Sequence, residues 1–181
     1  GTGIESDSEY PIVTTINQCR LSGEVVAGTS DETKVLASGS ISSDCLTWVW
    51  HDYVGYISPV GQSLEIKNDL VKGSWTSVNR QTGSSRAIVT DSIFKLLLDH
   101  GKQPHGKEYI YYVVPHVDRE HLSRYVKHSP VQVLSNTRRT GYFMLYAMKL
   151  VSWIVEKGRF LQWIRPACIC CVLIRRGIYF R

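Results

Sequence analysis

Sulfur is scarce and unevenly spread in this chain, with 5 cysteines and 2 methionines in 181 residues. Cys19 and Cys45 stand alone in the body, while Cys168, Cys170 and Cys171 crowd the C-terminal end. Zinc ligands come as closely spaced Cys or His pairs with a second pair elsewhere. Here all 6 histidines fall between His51 and His128 without a matching pair, which argues against a metal centre. Cys19 reads as a small buried apolar residue. No glycine-rich loop follows a strand, and there is no strand–helix–strand rhythm, which argues against a nucleotide-binding fold and any such cofactor. No Ser or Cys stands beside a partner able to activate it. The chain opens GTGIESDSEYP, with no Met, no charged leader and no apolar leader core. It therefore shows no export signal and reads as a piece of something longer. The longest apolar stretch, residues 141–155, is interrupted by Lys149 and falls short of the roughly 20 residues that span a bilayer.

What is present fits one globular domain with a core: 43% apolar and 20% charged residues. The net charge of +5 hides a division. Residues 1–137 hold 12 Lys and Arg against 15 Asp and Glu, a net of −3, whereas residues 138–181 hold 9 against Glu156 alone, a net of +8. A basic tail attracts acidic polymers such as nucleic acids or sulfated glycans. The abrupt charge reversal, the cysteine cluster and the loss of acidic residues instead set 138–181 apart as foreign to the body, as an altered reading frame would make it. Residues 141–155 also fit an amphipathic helix lying on a surface.

Strand signals dominate the body. Residues 11–17, 34–37, 46–51, 53–57, 63–67, 87–90, 92–98, 108–114 and 132–134 are β-branched, aromatic or alternating, and turn-forming residues bound them. Ile93, Phe94, Leu96, Leu97 and Leu98 also fit a helical face, but the seven-residue length of 92–98 and the DHG stop after it favour a strand. In LTWVWH, Trp48 and Trp50 share one face and Thr47 and Val49 the other. In SLEIK, Leu64 and Ile66 face inward. Residues 108–114 carry apolar or aromatic side chains on both faces, which predicts a strand buried on both sides rather than an edge. Residues 118–126 have helical spacing. The spacing of short strands is that of an antiparallel sandwich or barrel.

Five ordered motifs narrow this further. They are the opening GTGI with TTINQ (Thr14, Thr15, Ile16, Asn17, Gln18); WVWHDYVGYISP, carrying His51, Asp52, Gly55, Tyr56 and Pro59; GSWTSVN, with Gly73, Trp75 and Asn79; DHGKQPHGKEYIYYVVP, with Asp99, His100, Gly101, Pro104, Tyr109, Tyr111 and Pro115; and VLSNT at 133–137. In this order they resemble the central β domain of polysaccharide lyase family 8, the chondroitin AC, hyaluronate and xanthan lyases. The resemblance covers residues 1–137. It implies an all-β fold, an antiparallel multi-sheet super-sandwich present in part. It also implies parentage in a secreted or periplasmic bacterial carbon–oxygen lyase that cleaves acidic polysaccharides by β-elimination at a uronic acid. In that family a base takes the C5 proton, donors stabilise the charge developing on the carboxylate, and no metal or cofactor is required in principle. The reactive groups sit on a preceding helical domain that this sequence does not contain. The partners implied are that domain and an acidic polysaccharide, with no nucleic acid and no membrane span. The alternative reading is a non-catalytic carbohydrate-binding β-sandwich.

Several residues invite a role and are weighed against simple packing. Asp99 and His100 are neighbours on a strand and point to opposite faces, so the resemblance makes DHG a strand end and turn. His51 and Asp52 read as a hairpin corner whose polar groups bond nearby backbone. Tyr109, Tyr111 and Tyr112 suit stacking on sugars or half-burial, and Asn79 suits a turn. Trp48, Trp50 and Trp75 are the substrate-facing candidates, with sheet packing as their plainer reading. No residue is assigned to catalysis or to a metal.

Overall fold

The computed structural model describes residues 1–136 apart from Ser30, Ala37 and Val60, and the backbone of residues 141–145, 152–156, 159–163 and 170–174. The elements in chain order are β1 (Pro11–Arg20), β2 (Val25–Gly28), β3 (Thr33–Leu36), β4 (Gly39–Ser43), β5 (Trp48–His51), β6 (Val54–Ile57), β7 (Leu64–Gly73), α1 (Trp75–Val78), β8 (Val89–Lys102), β9 (Tyr112–Pro115), α2 (Arg119–Lys127) and β10 (Val131–Asn136). They form a four-stranded sheet, β1-β8-β7-β4, and a five-stranded sheet, β3-β2-β5-β6-β9. Every pairing in both is antiparallel.

The period-2 patterns of β7 and β8 set the core. Leu64 and Ile66, with Phe94, Leu96 and Leu98, point from the four-stranded sheet onto Val25, Ala27, Leu36, Val49 and Tyr56 of the other. All ten are buried, so the two sheets pack face to face as a sandwich. The buried amide of Asn68 in β7 reaches across to donate to the carbonyl of Leu36 at 3.2 Å. The outer face of the five-stranded sheet is covered too: Val26, Trp48 and Ile57 pack against Val117 and against Leu122 of α2. This double coverage explains why β2, VVAG, is buried at every position and shows no alternation. Asp118 caps α2 by accepting the N–H of His121 at 2.7 Å, and Arg124 and Lys127 complement the dipole of its last turn. β5 and β6 join through Asp52 and Tyr53, both at positive φ, a two-residue turn of the kind that matches strand twist.

The super-sandwich expectation holds, and particular strands differ from their predicted bounds. The strand predicted at 108–114 begins only at Tyr112. The chain before it is extended but makes other bonds: the Gln62 side chain accepts the N–H of Ile110 at 3.1 Å and donates to its carbonyl at 2.7 Å. Its predicted burial on both sides also fails, because β9 ends the sheet order and alternates half-buried and exposed residues. DHG does not end a strand. β8 runs through it to Lys102, with Gly101 at φ +79° where the β1 register skips between Pro11 and Val13, a bulge in place of a stop. The short strand at 87–90 merges into β8, and β7 extends to Gly73. β2 and β4 were not expected.

Further along, β11 (Gly141–Leu145) pairs with β10 and with β14 (Cys170–Ile174), and β12 (Ser152–Glu156) pairs with β13 (Arg159–Trp163). The backbone over 141–155 thus includes two strands where a surface helix was an option. The reading of 138–181 as foreign sequence falls largely outside the described residues. Among the described residues no helix is long and apolar enough to cross a membrane.

Candidate functional site

The sheets position three groups of chemistry-bearing side chains. The first lies inside the sandwich. Asn17 and Cys19 of β1 meet His51 of β5 and Tyr56 of β6, with the Asn17 amide bonded to the Tyr56 hydroxyl and Cys19 Sγ lying 3.7 Å from His51 Nδ1. His51 is 2% exposed and its ring stacks on Phe94 at 4.4 Å between centroids. Its Nε2 accepts the N–H of Ser22 at 3.1 Å. The hairpin-corner reading of His51 is therefore corrected: its partner lies 29 residues away, because the β5 register turns the ring inward. Burial pushes the His51 pKa down, against the opposing pull of the Asp52 charge. Burial pushes the Cys19 thiol and the Tyr56 phenol up. A neutral imidazole beside a protonated thiol and phenol is a packed polar cluster, without an activated nucleophile. Cys19 is half-buried and packs against the hydrophobic core as expected, with Asn17 and His51 as added polar neighbours.

The second group is at the end of β8. His100 Nε2 lies 2.8 Å from the Thr14 hydroxyl, and its ring lies 5.7 Å from that of Tyr109. Tyr109 and Tyr111 stack in parallel at 6.0 Å, as their i,i+2 spacing requires. Asp99 turns away and accepts the Gly101 N–H at 2.8 Å. Partial burial lowers the His100 pKa, Asp99 opposes that shift, and the charges of Lys107 and the N-terminus add to it.

The third group is an arm. β1 pairs with β8 only from Ile93 onward, and β4 covers β7 only up to Asn68, so the paired stretch from Asp69–Gly73 to Val89–Ser92 projects beyond its neighbours. Its tip exposes Trp75 (64%), Val78 (79%) and Ile88 (73%). Residues 70–88 carry Lys72, Arg80 and Arg86 and no Asp or Glu, and all three cations are exposed. Asn79 makes the expected turn, accepting the Gln81 N–H at 3.0 Å.

The three tryptophans are thus separated. Trp48 is 3% exposed and donates its indole N–H to the Thr29 carbonyl at 2.8 Å, so it is a core residue with no ring face for a sugar. Trp50 is half-buried, donates to the Val117 carbonyl at 2.8 Å and meets Tyr53 edge-on. Of these three, Trp75 alone stands in solvent. The charge of the arm was missed in the sequence, although a long acid-free run around a Trp was there to read.

Comparison with known proteins fits this architecture. Residues 1–126 match the model of polysaccharide lyase family 8, super-sandwich domain. The chain is 32% identical over 142 residues to chondroitinase-AC of Pedobacter heparinus, covering 77% of this chain and 19% of that protein. It is 25% identical over 147 residues to a xanthan lyase of a Bacillus species, covering 76% of this chain and 16% of that one. Among solved structures, chondroitinase AC lyase, known in enzyme–oligosaccharide complexes, superposes with a TM-score of 0.70 and 26% identity over 96% of this chain and 26% of that one. A Paenibacillus xanthan lyase superposes with a TM-score of 0.72 at 18% identity, covering 80% of this chain and 15% of that one, a likeness of fold. The chain thus spans about a fifth of the length of the curated relatives it matches.

Proposed function

This chain belongs to polysaccharide lyase family 8 through its super-sandwich domain, and on that premise we propose that it is the supporting β portion of a lyase that cleaves acidic, chondroitin- or hyaluronan-like polysaccharides by β-elimination. The observation that carries the reading is the family match over most of the sandwich, together with a polar interior that holds no activated base. β-Elimination at a uronic acid needs a positioned base for the C5 proton, a stabiliser for the developing carboxylate charge and an acid for the leaving oxygen. His51 is sealed in the core with Nε2 already bonded. His100 is tied to Thr14. Among the described residues neither histidine offers a free base beside a second donor in a cleft, which supports placing the reactive groups of the whole enzyme on another domain, a helical one preceding this. The chain alone is inactive, and the complete enzyme is secreted or periplasmic, where such polymers are met.

The test is ultraviolet absorbance of the unsaturated product with chondroitin and hyaluronan as substrates. The purified chain gives none; a steady signal that scales with protein overturns the reading.

The arm supports a second reading, a carbohydrate-binding surface without chemistry. Residues 70–88 carry an exposed indole with three cations and no anions, beyond Asp69 and Asp91 at the base of the arm, and this suits a sugar ring that carries carboxylate or sulfate: the ring stacks and the charges pair. Salt-sensitive binding of chondroitin sulfate that is lost in Trp75→Ala favours this role for the arm. Binding that survives Trp75→Ala places the contact elsewhere.

A further inference from the structure

The edge of the five-stranded sheet points to a partner. Residues 1–8 run antiparallel to residues 103–109. Ser8 accepts the N–H of Gln103 at 3.2 Å, Ile4 and Lys107 exchange both backbone bonds at 3.0 and 3.2 Å, and the Tyr109 N–H donates to the Gly1 carbonyl at 2.8 Å. The Gly1 nitrogen returns a bond to the Tyr109 carbonyl, also at 2.8 Å.

Backbone groups along a strand alternate between its two edges, so residues i and i+2 face the same way. Ile110 faces the β6 side, where Gln62 satisfies it. Tyr109 faces the opposite side, toward Gly1. Tyr111 and Val113 therefore direct their N–H and C=O groups outward with Tyr109, along an edge that no strand among the described residues pairs with. The segment is YIYYVV, residues 109–114, without a charge, and Val113 is 49% exposed. Uncharged edges of this kind are protected in native proteins by shortness, charge, proline, a bulge or another strand, and here Pro115 blunts only the far end of β9.

We propose that the outer edge of β9 is a docking site for an extended polypeptide strand that continues the register of residues 1–8, pairing with Tyr111 and then Val113. The occupant is the stretch leading into Gly1 in a longer protein, so the inference rests on the chain being part of a larger lyase. It adds a sixth strand to the five-stranded sheet and ties that sheet to what precedes it.

The experiment needs no polysaccharide, so its failure is distinct from a failure of the lyase reading. Thr-Val-Thr-Val-Thr is fused ahead of Gly1 in the full chain, with Gly-Ser-Gly-Ser-Gly as the comparison, and backbone amide exchange is followed by NMR. The strand-forming extension slows exchange at Tyr111 and Val113 by about tenfold or more, and the flexible one does not. Unchanged exchange at both amides, with Val49 and Phe94 still protected, overturns the proposal, as does protection that moves to β1 or β4. Val113→Pro in the parent chain is the second variant. If the Val113 N–H faces outward, the substitution leaves the melting midpoint nearly unchanged and abolishes the effect of the extension. If it unfolds the parent, the edge assignment is wrong.

Discussion

His51 Nε2 accepts the backbone N–H of Ser22 at 3.1 Å, which fixes the ring proton on Nδ1, the nitrogen facing Cys19. The imidazole is neutral by construction, because a protonated ring would leave the Ser22 N–H without an acceptor. The relationship ties the stretch after β1 to β5 and makes the fold sensitive to acid. Folded His51 titrates below its ordinary value because it is buried, while the unfolded chain takes up its proton near pH ~6.5. The unfolded state then binds more protons, so stability is fully present above about pH 6.5 and declines as pH falls below it toward the folded pKa. Urea midpoints at pH 7.5 and 5.5 show the drop. His51→Phe lowers stability at pH 7.5 by about 1–3 kcal/mol, through the orphaned Ser22 N–H, and reduces the slope. The slope that persists comes from His100, which burial also depresses.

The tryptophans separate packing from surface chemistry. Trp48→Ala removes a buried ring and its bond to Thr29, and is expected to cost about 3–5 kcal/mol. Trp75→Ala, on the exposed arm, changes stability by no more than about 0.5 kcal/mol. Thermal unfolding of the two variants checks both values.

Gly55 lies beneath Leu122 of α2, and a Cβ there would overlap the leucine methyl groups. Gly55→Ala therefore lifts α2 from the sheet at a cost of about 1–3 kcal/mol. Gly55→Ala combined with Leu122→Ala costs less than the sum of the single changes, since the smaller side chain relieves the overlap. Equilibrium denaturation of the three variants measures the coupling.

The arm's cations predict a charge effect. Arg80→Glu with Arg86→Glu weakens binding to chondroitin sulfate and flattens its dependence on salt, because two attractive charges become repulsive. Exposed residues on a projecting arm leave the thermal midpoint within a few degrees of the parent. Titration at two ionic strengths separates this from a fold defect.

The sequence was most legible where period and burial agree. SLEIK places Leu64 and Ile66 inward, and the structure buries both. The helix at 118–126 appears as α2, with its Asp118 cap. β2 was missed because both its faces are covered, which erases alternation from a four-residue run. β4, GSISS, was missed because its residues signal turns and only pairing with β7 makes it a strand. YIYYVV looked like an inner strand because half-buried tyrosines carry the same apolar signature as core residues. His51 could not be placed from sequence, since its partners, Cys19 and Ser22, are brought to it by sheet packing alone. Trp75 could not be told from Trp48 by residue type. The difference lies in how far β7 and β8 outrun β4 and β1.

The most direct test of the central claim is the ultraviolet signal of the unsaturated uronate when the purified, folded chain is incubated with chondroitin and hyaluronan. A chain that only supports and walls a cleft yields no signal above buffer at any protein concentration. A rate that rises in proportion to the chain and vanishes on unfolding would place the reactive groups within these residues and contradict the account.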